Sequence, residues 1–138
     1  MISVRPSAAV DAQVLTALRA SAWAEAEGKK GGPALLEDLP VAVSCGPDVF
    51  LGCIGGVPVA YARIELGARR GRVAELYCEQ GARGVGVGDV LLGAMCDVLR
   101  DRGADRVDSV ALPGDRVTKN FFEAHQMVAR AITTSRVL

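Results

Sequence analysis

Residues 78–92 read Cys78-Glu79-Gln80-Gly81-Ala82-Arg83-Gly84-Val85-Gly86-Val87-Gly88-Asp89-Val90-Leu91-Leu92. Before this stretch, Arg72 to Glu79 alternate as a strand does. After it, Val90, Leu91, Ala94, Met95, Val98 and Leu99 recur at helical spacing, with Gly103 placed to cap the helix. The stretch is therefore a strand-to-helix turn. Its glycines let the chain turn tightly and bring backbone N–H groups close to a ligand. The first amides of the helix lack internal partners and sit at the positive end of its dipole. Together they favour a pyrophosphate held on Arg83, Gly84, Val85, Gly86, Val87 and Gly88. The Arg83 guanidinium adds a charge-assisted contact, typically worth about 1.5–3 kcal/mol.

Two other phosphate motifs are excluded. A dinucleotide fingerprint, G-x-G-x-x-G, would need glycine at Asp89 when counted from Gly84, and at Leu91 when counted from Gly86. A P-loop needs Gly-Lys-Ser/Thr, whereas Val87 follows Gly86.

Outward from the turn, Ile2 to Arg5 alternate as an opening strand. Ser7 is placed as an N-cap, and Val10, Val14, Leu18 and Ala22 mark an amphipathic helix to about Glu27. Gly28 to Gly32 form a loop, and Pro33 to Leu39 a short second helix. Val49–Ile54 and Val57–Leu66 read as strands joined at Gly55-Gly56. Gly67 to Gly71 form the loop before the next strand. Beyond the central helix, Arg106 to Leu112 read as a strand. Asp115 caps a helix to about His125, and Met127 to Val137 carry the β-branched residues of a last strand. The order β-α-(α)-β-β-β-α-β-α-β predicts a mixed α/β (α+β) fold: a mostly antiparallel central sheet with helices on both faces. At 138 residues the whole chain, 1–138, is expected to be one domain.

Half the residues are hydrophobic, and 16 basic side chains balance 16 acidic ones. No basic stripe interleaved with aromatics is visible, which argues against nucleic acid. The four cysteines match no zinc spacing and there is a single histidine, so no metal site is expected. No run is long and apolar enough for a membrane span, and no signal peptide opens the chain. A soluble cytoplasmic protein is the expectation.

Arg83-x-x-Gly86-x-Gly88, between a strand and an amphipathic helix, resembles the acetyl-CoA signature Q/R-x-x-G-x-G/A of the GNAT superfamily of N-acetyltransferases. The run Arg83 to Leu92 is similar to the family's R-G-x-G-I-G-x-x-L-L. Asn120-Phe121-Phe122-Glu123-Ala124-His125 resembles its later N-x-F-Y-E segment. The resemblance implies acetyl-CoA as acyl donor and transfer of its acetyl group to an acceptor amine by direct attack. It implies that the pantetheine arm pairs with backbone near Leu76 and Cys78, on a strand that splays from its neighbour. It also makes Asn120 a cofactor contact. The acceptor is a small-molecule or peptide amine, and exposed sheet edges admit a homodimer.

Acyl transfer to an amine requires a neutral amine, a polarised carbonyl and a proton for the departing thiolate. Alternation sets Glu75, Tyr77 and Glu79 on one face of their strand. Arg63 is expected opposite Glu75 and Tyr61 opposite Tyr77, and these polar faces are expected to line the acceptor groove. Glu75 is the candidate base, with a cross-strand ion pair to Arg63 as its competing role. Where the family often places a proton-donating tyrosine this chain has Phe122, which leaves Tyr77 or a water as the candidate donor. His125 reads as a solvated or capping side chain, and Cys78 as a packed thiol. Because Phe122 cannot donate a proton, a non-catalytic acyl-CoA-binding sensor is the alternative reading.

Overall fold

The computed structural model describes all 138 residues. Strand β1 (Ile2–Pro6) leads through a short 3-10 turn into α1 (Ala12–Glu27) and α2 (Gly32–Glu37). Then come β2 (Val49–Ile54), β3 (Val57–Gly67) and β4 (Arg70–Cys78). Helix α3 (Val87–Asp101), β5 (Arg106–Asp108) and α4 (Arg116–Ala124) follow. The five strands lie in chain order in one sheet. Every neighbouring pair is antiparallel except β4 and β5, which are parallel. The mixed, mostly antiparallel sheet with helices on both faces is thus observed.

Each face has its own apolar layer. Leu91, Leu92, Met95 and Leu99 of α3 pack against Phe50, Ala60, Ala62, Ile64 and Val73. On the opposite face Leu15 and Leu18 of α1 pack against Val49, Leu51, Cys53 and Tyr61. Helix α3 ends as its sequence requires. Gly103 takes φ 101°, and the Ala104 N–H reaches back to the Leu99 carbonyl. That 6→1 bond satisfies a terminal carbonyl through a left-handed glycine.

Four boundaries differ from the sequence reading. Ser7 does not cap α1; its hydroxyl exchanges hydrogen bonds with Gly46, while the Asp11 carboxylate accepts the Ala8 N–H. Asp11 also pairs with Arg5, whose hydrogen bonds hold its carboxyl down at about 2. Val10 therefore lies in the turn before the helix and is exposed, and the inward stripe runs through Leu15, Leu18 and Arg19 instead.

The β3–β4 connection is a two-residue turn, because Gly67 already pairs with Arg70. The pairing of Arg63 with Glu75 and Tyr61 with Tyr77 is nevertheless as expected. A register shift beyond Arg63 leaves Ala74 as one extra residue in β4, and this bulge compensates for the shorter loop.

Strand β5 stops at Asp108, short of Leu112. Finally, residues 127–138 form no strand. Met127 packs on the α3 layer, and the β-branched residues beyond it are exposed. Strand propensity alone cannot create a ladder: without a partner edge, each backbone group keeps its bond to water.

Candidate functional site

The short reach of β5 opens a wedge. It pairs with β4 only over Arg70–Arg72 and Arg106–Asp108. The last link is the Ser109 hydroxyl, which donates to the Val73 carbonyl at 2.8 Å. On its other edge β4 stays paired with β3 up to Cys78, and the Glu79 N–H continues to the Val59 carbonyl. Antiparallel ladders alternate, so a bond at 59/79 assigns the bonded pairs to 61/77 and 63/75. The N–H and C=O groups of Leu76 and Cys78 consequently point away from β3, into the wedge. A cavity of about 710 Å³ fills this space. Its walls include Leu76, Cys78, Val110, Val117 and Phe121.

The glycine turn lies at the same end of β4. Gly84 and Gly86 adopt φ 83° and 96°, a region where a side chain clashes with its own backbone. Gly86 is the N-cap of α3 and no side chain caps the helix. The Val90 N–H bonds the Gly86 carbonyl, which leaves the amides of Val87, Gly88 and Asp89 without intrahelical acceptors. At Gly88 an added Cβ would meet the Phe121 ring of α4 at 3.4 Å, an ordinary contact, so this position does not itself demand glycine. Arg83 donates from Nε to the Cys78 carbonyl at 2.9 Å, stands 5.5 Å from the Tyr77 ring centre and pairs with Glu25 at 2.7 Å. A Gly86→Val protein should lose about 1–2 kcal/mol of stability through the left-handed backbone alone. Chemical denaturation against wild type measures it.

Glu75 is the most constrained carboxylate of the chain. It is only 8% exposed beneath α1. Arg19 Nε donates to Oε1 at 2.8 Å and Arg63 Nε to Oε2 at 2.6 Å. Tyr61 Oη donates to Oε1 at 2.8 Å, and the second Arg19 nitrogen reaches Oε2 at 3.1 Å. Burial pushes this carboxyl's pKa up, but the hydrogen bonds from Arg19, Arg63 and Tyr61 outweigh it and hold the group below the usual carboxylate range. Burial, reinforced by Glu75, pushes the Tyr61 hydroxyl far up. A carboxylate so fully donated to is a poor proton acceptor. Tyr61 and Glu75 do reach the cavity wall beside Tyr77, as expected, but both are buried beneath α1 and spend their hydrogen bonds on each other and on the arginines, and Arg63 is not among the lining residues. Arg19 also donates to the Pro40 and Val41 carbonyls, fastening the segment after α2. Its role was readable only as a charged residue inside an apolar helical stripe.

The remaining candidates divide. Tyr77 is half-buried and lines the cavity. The Cys78 thiol, pushed up chiefly by burial, also lines it. Phe122 is buried in the α3 layer. His125 caps the end of α4 and meets Asp89 at 2.8 Å, tying α4 to the first turn of α3. Asn120 is exposed on α4 and does not line the cavity, where Val117, Thr118, Phe121 and Phe122 stand instead.

The sequence pattern of the acetyltransferase (GNAT) family matches residues 13–126, a span that begins in α1 and takes in the wedge, the glycine turn and α4. The chain belongs to the GNAT family. Membership makes it an acetyltransferase with acetyl-CoA as cosubstrate and an amine as acceptor. Solved structures share the fold. The ribosomal-protein-alanine N-acetyltransferase from Brucella melitensis biovar Abortus 2308 superposes with TM-score 0.69 at 22% identity, covering 99% of this chain and 97% of that one. The aminoglycoside N-acetyltransferase AAC(6')-Iy in complex with CoA gives 0.70 at 15% identity, with 99% and 95% covered. An aminoglycoside acetyltransferase from an uncultured soil metagenomic sample, in complex with trehalose, gives 0.72 at 14%, with 99% and 96% covered. No curated protein matches the chain. In this GNAT chain no helix is long and apolar enough to cross a membrane.

Proposed function

We propose that this GNAT chain binds acetyl-CoA in the β4–β5 wedge and transfers its acetyl group to a primary amine by direct attack. The observation that carries the reading is the splayed β4, whose Leu76 backbone groups and Cys78 N–H face the wedge away from β3 and lead straight into the glycine turn, where Arg83 holds the Cys78 carbonyl. Val87, Gly88 and Asp89 amides would hold the pyrophosphate, with Gly84 and Gly86 shaping the turn, Val85 at its exposed tip and Arg83 adding charge. The pantetheine amides would pair with Leu76 and Cys78 as an added strand does.

The Leu76 N–H then faces the thioester carbonyl and polarises it. The amine attacks as the free base: its C–N bond forms, the thioester C–S bond breaks, and the sulfur leaves as thiolate. Tyr77, whose half-buried side chain lines the cavity, supplies the proton to that sulfur. Glu75 serves as the anchor that joins α1 to the sheet rather than as the base. The amine's own proton leaves through water in the open groove.

Four free cysteines fit a reducing cytoplasm as the compartment. Pairing along an edge strand of the sheet, β1 or β5, would make the chain a homodimer, which sedimentation analysis at several concentrations tests. The activity itself is tested by following CoA thiol released from acetyl-CoA with a panel of primary amines. Amine-dependent release that falls in Tyr77→Phe supports the reading. Acetyl-CoA binding without release for any amine would instead favour the sensor.

A further inference from the structure

Arg83 has an anionic partner within the chain. Its guanidinium meets the Glu25 carboxylate at 2.7 Å. Glu25 in turn lies 3.5 Å from Lys29, and Lys29 pairs at 2.9 Å with Asp115, the N-cap of α4. These four residues all line the one cavity. They form a charge chain from the turn after β4, across the last turn of α1, to the turn after β5. It spans the mouth of the wedge where the two strands diverge. The same cavity has apolar lining from Trp23, Leu35, Leu36 and Leu39, with the Arg19 guanidinium 4.9 Å from the Trp23 ring centre.

We propose that Glu25 is the residue that first receives the acceptor as its ammonium form, which gives its proton to water in the groove before the free base attacks, and that Arg83 masks Glu25 until a CoA pyrophosphate takes the guanidinium. The inference rests on the reading of Arg83 as a pyrophosphate ligand. Phosphate oxygens and the Glu25 carboxylate compete for one guanidinium, and the doubly charged pyrophosphate with helix amides behind it wins. Glu25 then keeps its carboxylate in a half-buried, mostly apolar surround. Its remaining cation, Lys29 at 3.5 Å, is held more closely by Asp115 at 2.9 Å, so the place that Arg83 leaves suits a second ammonium group. The acceptor class follows: an amine that is cationic at neutral pH and carries an apolar or aromatic body for the Trp23 wall. Binding is ordered, cofactor first, because only the cofactor exposes the acceptor's counter-charge.

Trp23 is the sole tryptophan and lines the cavity, so its fluorescence reports binding directly. CoA, which cannot donate an acetyl group, and phenethylamine are titrated into wild type and Glu25→Gln. Removing the competing carboxylate should tighten CoA binding roughly two- to fivefold, the value of one partly exposed ion pair. In wild type, saturating CoA should tighten phenethylamine binding about fivefold or more. In Glu25→Gln that gain should vanish. Unchanged or weaker CoA binding by Glu25→Gln overturns the masking. An equal CoA-dependent gain in both proteins, or none in wild type, overturns the ammonium role. Absence of CoA binding by wild type would overturn the cofactor reading itself, and this inference with it.

Discussion

Glu75→Gln should lower the melting temperature by roughly 10 °C and not merely slow the reaction. The substitution leaves Arg19 and Arg63 buried around a neutral amide. Breaking one side of a buried ion pair typically costs about 3–5 kcal/mol, and each kcal/mol is worth about 3 °C in a chain of this size. Arg19 is 7% exposed and Arg63 9%, so neither can turn to water without moving α1. The segment at Pro40 and Val41, fastened by Arg19, should loosen as well. Calorimetric melting of both proteins measures the change. A Glu75→Gln protein with wild-type stability and lost activity would return Glu75 to the role of base. The pH dependence carries the same sign. The carboxyl's folded pKa lies below its unfolded value, so between the two the unfolded chain binds more protons. Glu75's contribution is complete above about pH 4.5, the ordinary glutamate range, and is lost as pH falls toward the folded value.

Arg83→Ala should weaken acetyl-CoA binding by about 10- to 100-fold with little loss of stability. The range follows from one charge-assisted contact to phosphate, about 1.5–3 kcal/mol. The fold is spared because Arg83 is exposed, and the ion pair it gives up with Glu25 is of the weak, solvent-screened kind. Binding by the wild type should also weaken as salt rises, and Arg83→Ala should show a shallower salt dependence. Calorimetric titration at two ionic strengths separates these effects. Wild-type affinity in Arg83→Ala would remove Arg83 from the cofactor site.

The glycine turn was legible because its constraints are local: a strand, left-handed positions and a helix N-terminus follow one another within a few residues. The cross-strand pairs Arg63/Glu75 and Tyr61/Tyr77 were legible for a less direct reason. A five-residue loop at Gly67–Gly71 and the actual two-residue turn with one extra residue at Ala74 give the same register beyond the bulge. Where β5 stops and whether residues 127–137 pair are tertiary questions. Val107 and Ile132 have equal strand propensity, but only Val107 has β4 beside it. The role of Glu75 was hidden for a similar reason. Alternation tells which side chains share a face of β4, but not that α1 will cover that face and bring Arg19 down onto it. Nothing in the spacing of Glu25 and Arg83 announces their contact, which spans 58 residues of chain.

The measurement that bears most directly on the central claim is thermal denaturation with and without acetyl-CoA. A ligand bound only by the folded state at a hundred times its dissociation constant adds roughly 2.7 kcal/mol. A saturable rise of several degrees is therefore the predicted result, cut to about half or less in Arg83→Ala at the same concentration. No rise at millimolar acetyl-CoA, in a protein that melts cooperatively, would contradict the placement of the cofactor on the Arg83–Gly88 turn and in the wedge beside it.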